Sequence, residues 1–181
     1  MIALGDSHIT IFDSFVDATC MIPKASARGM SSSSSDTKDR ETFLKFLKDN
    51  RGTPIINLGG VDCTTMIYRK DMTLPRYLLV STNRYFQFLN LSGRKFIVSS
   101  VILPIITNST KSDLVILFNI IIRHLSEKYG HYFLDITSPI IDSKGIVKKE
   151  FINSPTDLQL NHKTITPIIE RELNKNKGFW S

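Results

Sequence analysis

Cysteine is scarce in this chain. Cys20 and Cys63 are the only two, too few for a disulfide framework, and neither stands in a CxxC or Cys/His pattern. The four histidines are dispersed, with no HxxxH or HxH spacing among them, so neither a metal nor another cofactor is expected. No apolar run approaches the roughly 18 residues that a membrane span needs. No charged stretch followed by an apolar one opens the sequence either, since Met1-Ile2-Ala3-Leu4 runs straight into Gly5-Asp6-Ser7. A secretory signal is therefore not expected, and these absences together predict a soluble, cytoplasmic protein.

What is present is an ordinary globular balance. Of 181 residues, 41% are hydrophobic and 22% charged, enough for one domain spanning residues 1–181 with a real core. The net charge is +6, from 23 Lys and Arg against 17 Asp and Glu. A basic balance can mark an anionic partner. Here the charges are scattered, with mild clusters at Arg69–Lys70, Lys148–Lys149 and Lys175–Lys177. No nucleic-acid motif accompanies them, so nucleic acid is not the expected partner. A phosphorylated or nucleotide-linked substrate remains compatible.

Short apolar runs alternate with longer amphipathic segments. Met1–Leu4, Ala18–Ile22, Pro54–Leu58, Lys95–Leu103 and Tyr132–Ile136 read as strands. Between them, residues 24–36 carry Gly29 and the run Ser31–Ser35 and read as a loop. Helices are predicted from Thr37 to about Asn50, over Pro75–Leu91 with Tyr77, Val80, Arg84, Phe88 and Leu91 along it, from near Ser112 to Gly130, and over Thr164–Asn174. Thr110 and Asp113 resemble a capping box for the third of these. Strands separated by such helices imply βαβ crossovers, hence a mainly parallel sheet of about five strands inside a three-layer α/β/α sandwich.

In such sheets ligands sit beyond the carboxyl ends of the strands. That rule selects Gly5–His8, Gly59–Cys63 and the loop after Ile136. In Gly5-Asp6-Ser7-His8 the glycine permits a sharp turn and the serine can present its hydroxyl at the sheet edge. A serine nucleophile needs a histidine base, usually held by a carboxylate. An N-capping Asp6 or Ser7 in a plain strand-to-loop turn accounts for the tetrapeptide equally well. Gly59-Gly60-Val61-Asp62-Cys63 brings glycines and a carboxylate to a second strand end, and residues 154–162 carry Asp157 and His162 just before the last helix.

Taken in order, these segments resemble the SGNH/GDSL hydrolases. Ile2–His8 is similar to the family's first block, where the GDS serine is the nucleophile. Ala25–Met30 resembles the second, whose glycine amide, here Gly29, helps to bind the oxyanion. Ile55–Asp62 resembles the third, normally GxND, and its Gly-x-x-Asp-Cys form resembles a branch associated with glycan assembly. Arg84-Tyr85-Phe86, Phe96–Pro104 and Tyr132–Ile136 fall where that branch has them, so the likeness spans nearly the whole chain. It implies an enzyme acting on a carbohydrate or glycan ester, by hydrolysis or O-acyl transfer. Ser7 would be the nucleophile, with Asp6, His8, Gly29, Gly60, Asp62 and Gln159 around the oxyanion or substrate.

The chain also departs from that pattern. Val61 stands where the family has an asparagine donor, and aligning Leu160-Asn161 with the last block puts Gln159 at the histidine position. Glutamine is no general base near neutral pH. Either His162 reaches Ser7 from three residues further on, oriented by Asp157, or the triad is broken. A broken triad implies a glycosyltransferase drawing on a nucleotide-sugar, with Asp6, Asp62 or Asp157 as base, or an inactive glycan-binding domain. Of the remaining residues, Asp62 is expected to tether loops through backbone N–H groups. Cys63, His124 and His131 are expected to be structural, and Arg28, Arg69 and Arg84 to lie at the surface, where guanidinium can meet an anionic substrate group.

Overall fold

The structure is a computed structural model that describes residues 1–31, 38–65, 72–102, 109–153 and 160–179, with the backbone alone at residues 31 and 109–111. Five short strands form one sheet: β1 (Ile2–Gly5), β2 (Ala18–Met21), β3 (Pro54–Asn57), β4 (Ile97–Ser99) and β5 (Tyr132–Leu134). Their spatial order is β2-β1-β3-β4-β5, and every neighbouring pair runs parallel. β1 and β3 are apolar and buried along their whole length, as strands covered on both faces must be.

Alternation along the strands divides the core in two. Leu4, Ile56 and Val98 point into a cluster with Phe43 and Leu47 of α1 (Asp39–Asp49), with the apolar face of α3 (Leu74–Leu91), and with Phe118 and Ile122 of α4 (Ser109–Tyr129). Ala3, Ile55 and Ile97 point the other way, toward Ile9 and Phe12 and toward Ile165 and Ile169 of α5 (His162–Asn174). The result is the expected three-layer α/β/α arrangement. A further short helix, α2 (Gly60–Thr65), follows β3. Among the described residues no helix is long and apolar enough to cross a membrane.

Several predicted details differ. β4 is confined to Ile97–Ser99 because the chain beyond it bonds elsewhere. The Ser100 hydroxyl accepts the amides of Ile136 and Thr137, each at 3.0 Å, and Val101 is held by the side chain of Asn119, which accepts from its N–H at 2.7 Å and donates to its C=O at 2.9 Å. α4 begins at Ser109, so Thr110 lies inside the helix and is not its cap. On α3 the buried face is Tyr77, Ser81, Tyr85 and Phe88 with Leu78, Thr82, Phe86 and Leu89, whereas Leu91 is exposed. The segment Ser7–Phe15, whose Ile9-Thr10-Ile11 run disfavours helix, is nonetheless a 3-10 helix. Gly5 is required where β1 meets β3, since a side chain there would collide with the Asn57 carbonyl oxygen.

Arg94 ties β4 to the end of α1. Its guanidinium donates to the carbonyls of Leu47 and Asn50, both at 2.8 Å, and to those of Arg51 and Gly52, satisfying acceptors that the helix terminus leaves open.

Candidate active site at the carboxyl edge of the sheet

β1 delivers Asp6, Ser7 and His8 to the carboxyl edge of the sheet. Asp6 is the N-cap of the 3-10 helix: its Oδ1 accepts the His8 amide at 2.9 Å and lies 3.1 Å from His8 Nδ1. The carboxylate is buried, the His8 ring half-buried and Ser7 exposed. Among the described residues the Ser7 hydroxyl has no hydrogen-bond partner. The turn thus combines an exposed hydroxyl, the imidazole of the next residue and an interior carboxylate that contacts that imidazole.

β3 delivers the second group. Asn57, at its end, donates from Nδ2 to the Ser99 hydroxyl and the Ser100 carbonyl, both at 3.1 Å. Gly59 then adopts φ +125°, and α2 places Asp62 in the interior. The fully buried Asp62 carboxylate accepts the amide of Ala27 at 2.7 Å and that of Arg28 at 3.1 Å, so it fastens the 25–30 loop to the β3 end. Burial raises its pKa, against the lowering effect of those bonds. Tyr85 of α3 is fully buried and feels the charge of both carboxylates. Its phenol is pushed well above the usual range by burial, then by the charges of Asp6 and Asp62. Sequence reasoning missed this contribution from α3, although Ser81 and Tyr85, one turn apart, interrupt an otherwise apolar stripe.

The Gly29 amide is oriented differently from the expected oxyanion donor. It donates within its own turn, to the Ser26 carbonyl at 3.1 Å and the Ser26 hydroxyl at 3.0 Å, because the 26–31 segment closes into a short 3-10 turn. Gly60 is buried at the start of α2. Arg28 stacks on Tyr77, with its guanidinium carbon 4.9 Å from the ring centroid.

α5 begins at His162, whose ring is exposed, and Asn161 caps the helix by accepting the Lys163 amide at 3.1 Å. Leu160 and Ile165 share a cluster with Ile9 and Phe12, so the start of α5 packs on the same face as the segment that follows Ser7. Asp157, Gln159 and Arg69 lie outside the described residues. His131 is interior: the Phe96 amide donates to its Nδ1 at 3.3 Å, and burial lowers its pKa to about 4. His124 is exposed on α4. Burial drives the Cys63 thiol well above its usual pKa, and the Asp62 charge adds to this, so it is a poor nucleophile. A cleft of about 110 Å³ between α4 and the loop after β5 contains neither Ser7 nor Asp62.

No protein-family model and no curated protein matches this chain. Solved structures do. A GDSL-like lipase from Bacteroides thetaiotaomicron aligns at a TM-score of 0.61 and 10% identity, over 97% of this chain and 87% of the lipase. An acetyl xylan esterase aligns at 0.61 and 11% identity, over 97% and 99% of the two chains. The OSK domain of Drosophila Oskar aligns at 0.62 and 16% identity, over 94% and 86%. At such low identities these likenesses establish the architecture.

Proposed function

We propose that this chain, which has the fold of the SGNH/GDSL hydrolases, is a serine ester hydrolase or acyl transferase whose substrate is an acylated carbohydrate. The observation that carries the proposal is the exposed Ser7 hydroxyl at the carboxyl end of β1, without a hydrogen-bond partner among the described residues, immediately after a buried Asp6 that fixes its turn. In this reading Ser7 Oγ attacks the acyl carbon and His162 takes its proton, with Asp157 orienting the imidazole. The alcohol then leaves, and water or a second hydroxyl releases the acyl group from Ser7. The Ser7 amide would face the oxyanion, and Gly29 would join it once its amide turns away from Ser26. The carbohydrate assignment draws on the family resemblance and on the likeness to an acetyl xylan esterase.

A fluorophosphonate probe together with turnover of p-nitrophenyl acetate and acetylated xylan tests this directly. Labelling and turnover in the wild type, both abolished by Ser7→Ala, support it. A Ser7→Ala variant as active as the wild type overturns it.

Three features favour a second reading. The Gly29 amide is engaged within its own turn, Val61 offers no side-chain donor, and Gln159 stands at the family's histidine position, a set that suits a scaffold turned to sugar transfer or glycan binding. Binding of a nucleotide-sugar without ester turnover would select it.

A further inference from the structure

Building on the serine-ester reading above, we infer that His8 is a specificity-determining residue: its Nε2 accepts a hydrogen bond from a substrate hydroxyl beside the scissile ester. The argument begins at Asp6. An ionised carboxylate accepts hydrogen bonds and cannot donate them. The 3.1 Å contact between Asp6 Oδ1 and His8 Nδ1 suits the tautomer that carries its hydrogen on Nδ1, with the carboxylate oxygen accepting. The same oxygen accepts the His8 amide at 2.9 Å, so backbone and ring are tied to one atom and the ring has little freedom to turn.

A neutral imidazole with its hydrogen on Nδ1 carries its lone pair on Nε2, across the ring. The Asp6 side chain is 2% exposed and that of His8 32%, so the ring is anchored from the interior and is partly open to solvent. Among the described histidines no other is arranged this way. His131 is interior and accepts from Phe96 through Nδ1, while His124 and His162 are exposed without a carboxylate contact.

His8 directly follows Ser7, adjacent Cα atoms are about 3.8 Å apart, and both side chains reach solvent, so an ester bound at Ser7 and carrying a neighbouring hydroxyl is within the span of the His8 side chain. A simple alkyl ester has nothing to donate to it. A partly acylated sugar does, through the hydroxyl on the carbon next to the ester. A site built to pair with a hydroxyl discriminates against the analogue that lacks it, so His8 would select polyol esters over alkyl or fully blocked ones.

The test compares methyl 2-O-acetyl-β-D-xylopyranoside with its 3,4-di-O-methyl derivative, read as the ratio of kcat/KM, alongside fluorophosphonate labelling of Ser7. The wild type should prefer the free-hydroxyl ester by about tenfold or more. His8→Phe should slow both substrates and bring the ratio near one. His8→Gln, whose amide oxygen can still accept, should recover part of the preference. Asp6→Asn, which no longer holds the ring through a carboxylate, should lower the ratio. A wild-type ratio near one, or a His8→Phe ratio equal to that of the wild type, overturns the inference while leaving the serine-ester reading standing. Absence of both labelling and turnover in the wild type overturns that reading, and this inference with it.

Discussion

Asp62 holds Ala27 across 35 residues of chain, accepting its amide at 2.7 Å in the interior of the protein. With the Arg28 amide on its other oxygen at 3.1 Å, the carboxylate substitutes for a missing stretch of secondary structure in the 25–30 loop. Asp62→Ala leaves two interior N–H groups unpaired and should cost about 2–4 kcal/mol, read from the urea unfolding midpoint. Asp62→Asn should also destabilise, because its amide can accept one N–H but turns a donor toward the other. Burial raises the Asp62 pKa above 3.8, so between that value and the folded one the native state binds the extra proton. In that window this residue's contribution falls as pH rises, and Asp62→Asn should remove that component of the slope.

His131 contributes with the opposite sign. Burial first, and then Lys95, lower its pKa from 6.5 to about 4, so in that interval the unfolded chain takes up a proton that the folded chain refuses. Stability from this residue is complete above about pH 6.5 and lost as the pH falls toward 4, on the order of 1–2 kcal/mol after allowance for solvent screening. His131→Asn keeps an acceptor for the Phe96 amide but does not titrate. Unfolding midpoints at pH 7 and pH 5 should therefore separate in the wild type by more than in the variant.

Gly59 cannot be replaced by alanine without a double penalty. Its φ of +125° is strained for any residue with a side chain, and the added methyl would press on the Phe118 ring, with Cζ at 2.6 Å, and on Val101 at 2.9 Å. Gly59→Ala should destabilise by about 3 kcal/mol or more, measured by thermal unfolding. Because Gly59 sets the exit from β3 into α2, the same variant should loosen Asp62 and with it the 25–30 loop.

Much of the architecture is legible in the sequence because parallel strands buried on both faces are apolar, β-branched and punctuated by Gly or Pro. Pro54–Asn57 is such a run, ended by Leu58-Gly59-Gly60. The same logic overextends β4, since nothing local says that Val101 leaves the ladder to pair with the Asn119 side chain. The site is only partly legible. The Asp6 N-cap follows from a short polar side chain just after a strand. Its second bond, to the His8 ring, depends on a rotamer that sequence does not specify. The engagement of the Gly29 amide depends on Ser26, three residues back, closing a turn that the sequence does not specify, and the surroundings of Tyr85 depend on two carboxylates distant in the chain.

The strand order has a consequence in time. No two neighbouring strands of this sheet can pair through a hairpin, because parallel partners need a crossover between them. During synthesis the strand leading to Ser7 is made first, yet one of its two flanks stays open until Pro54–Asn57 has emerged and docked. The loop that carries Gly29 waits longer still, for Asp62. Folding that depends on such distant partners is slow, and the opening residues spend that interval as an unpaired apolar edge, the period in which a nascent chain most needs protection from aggregation.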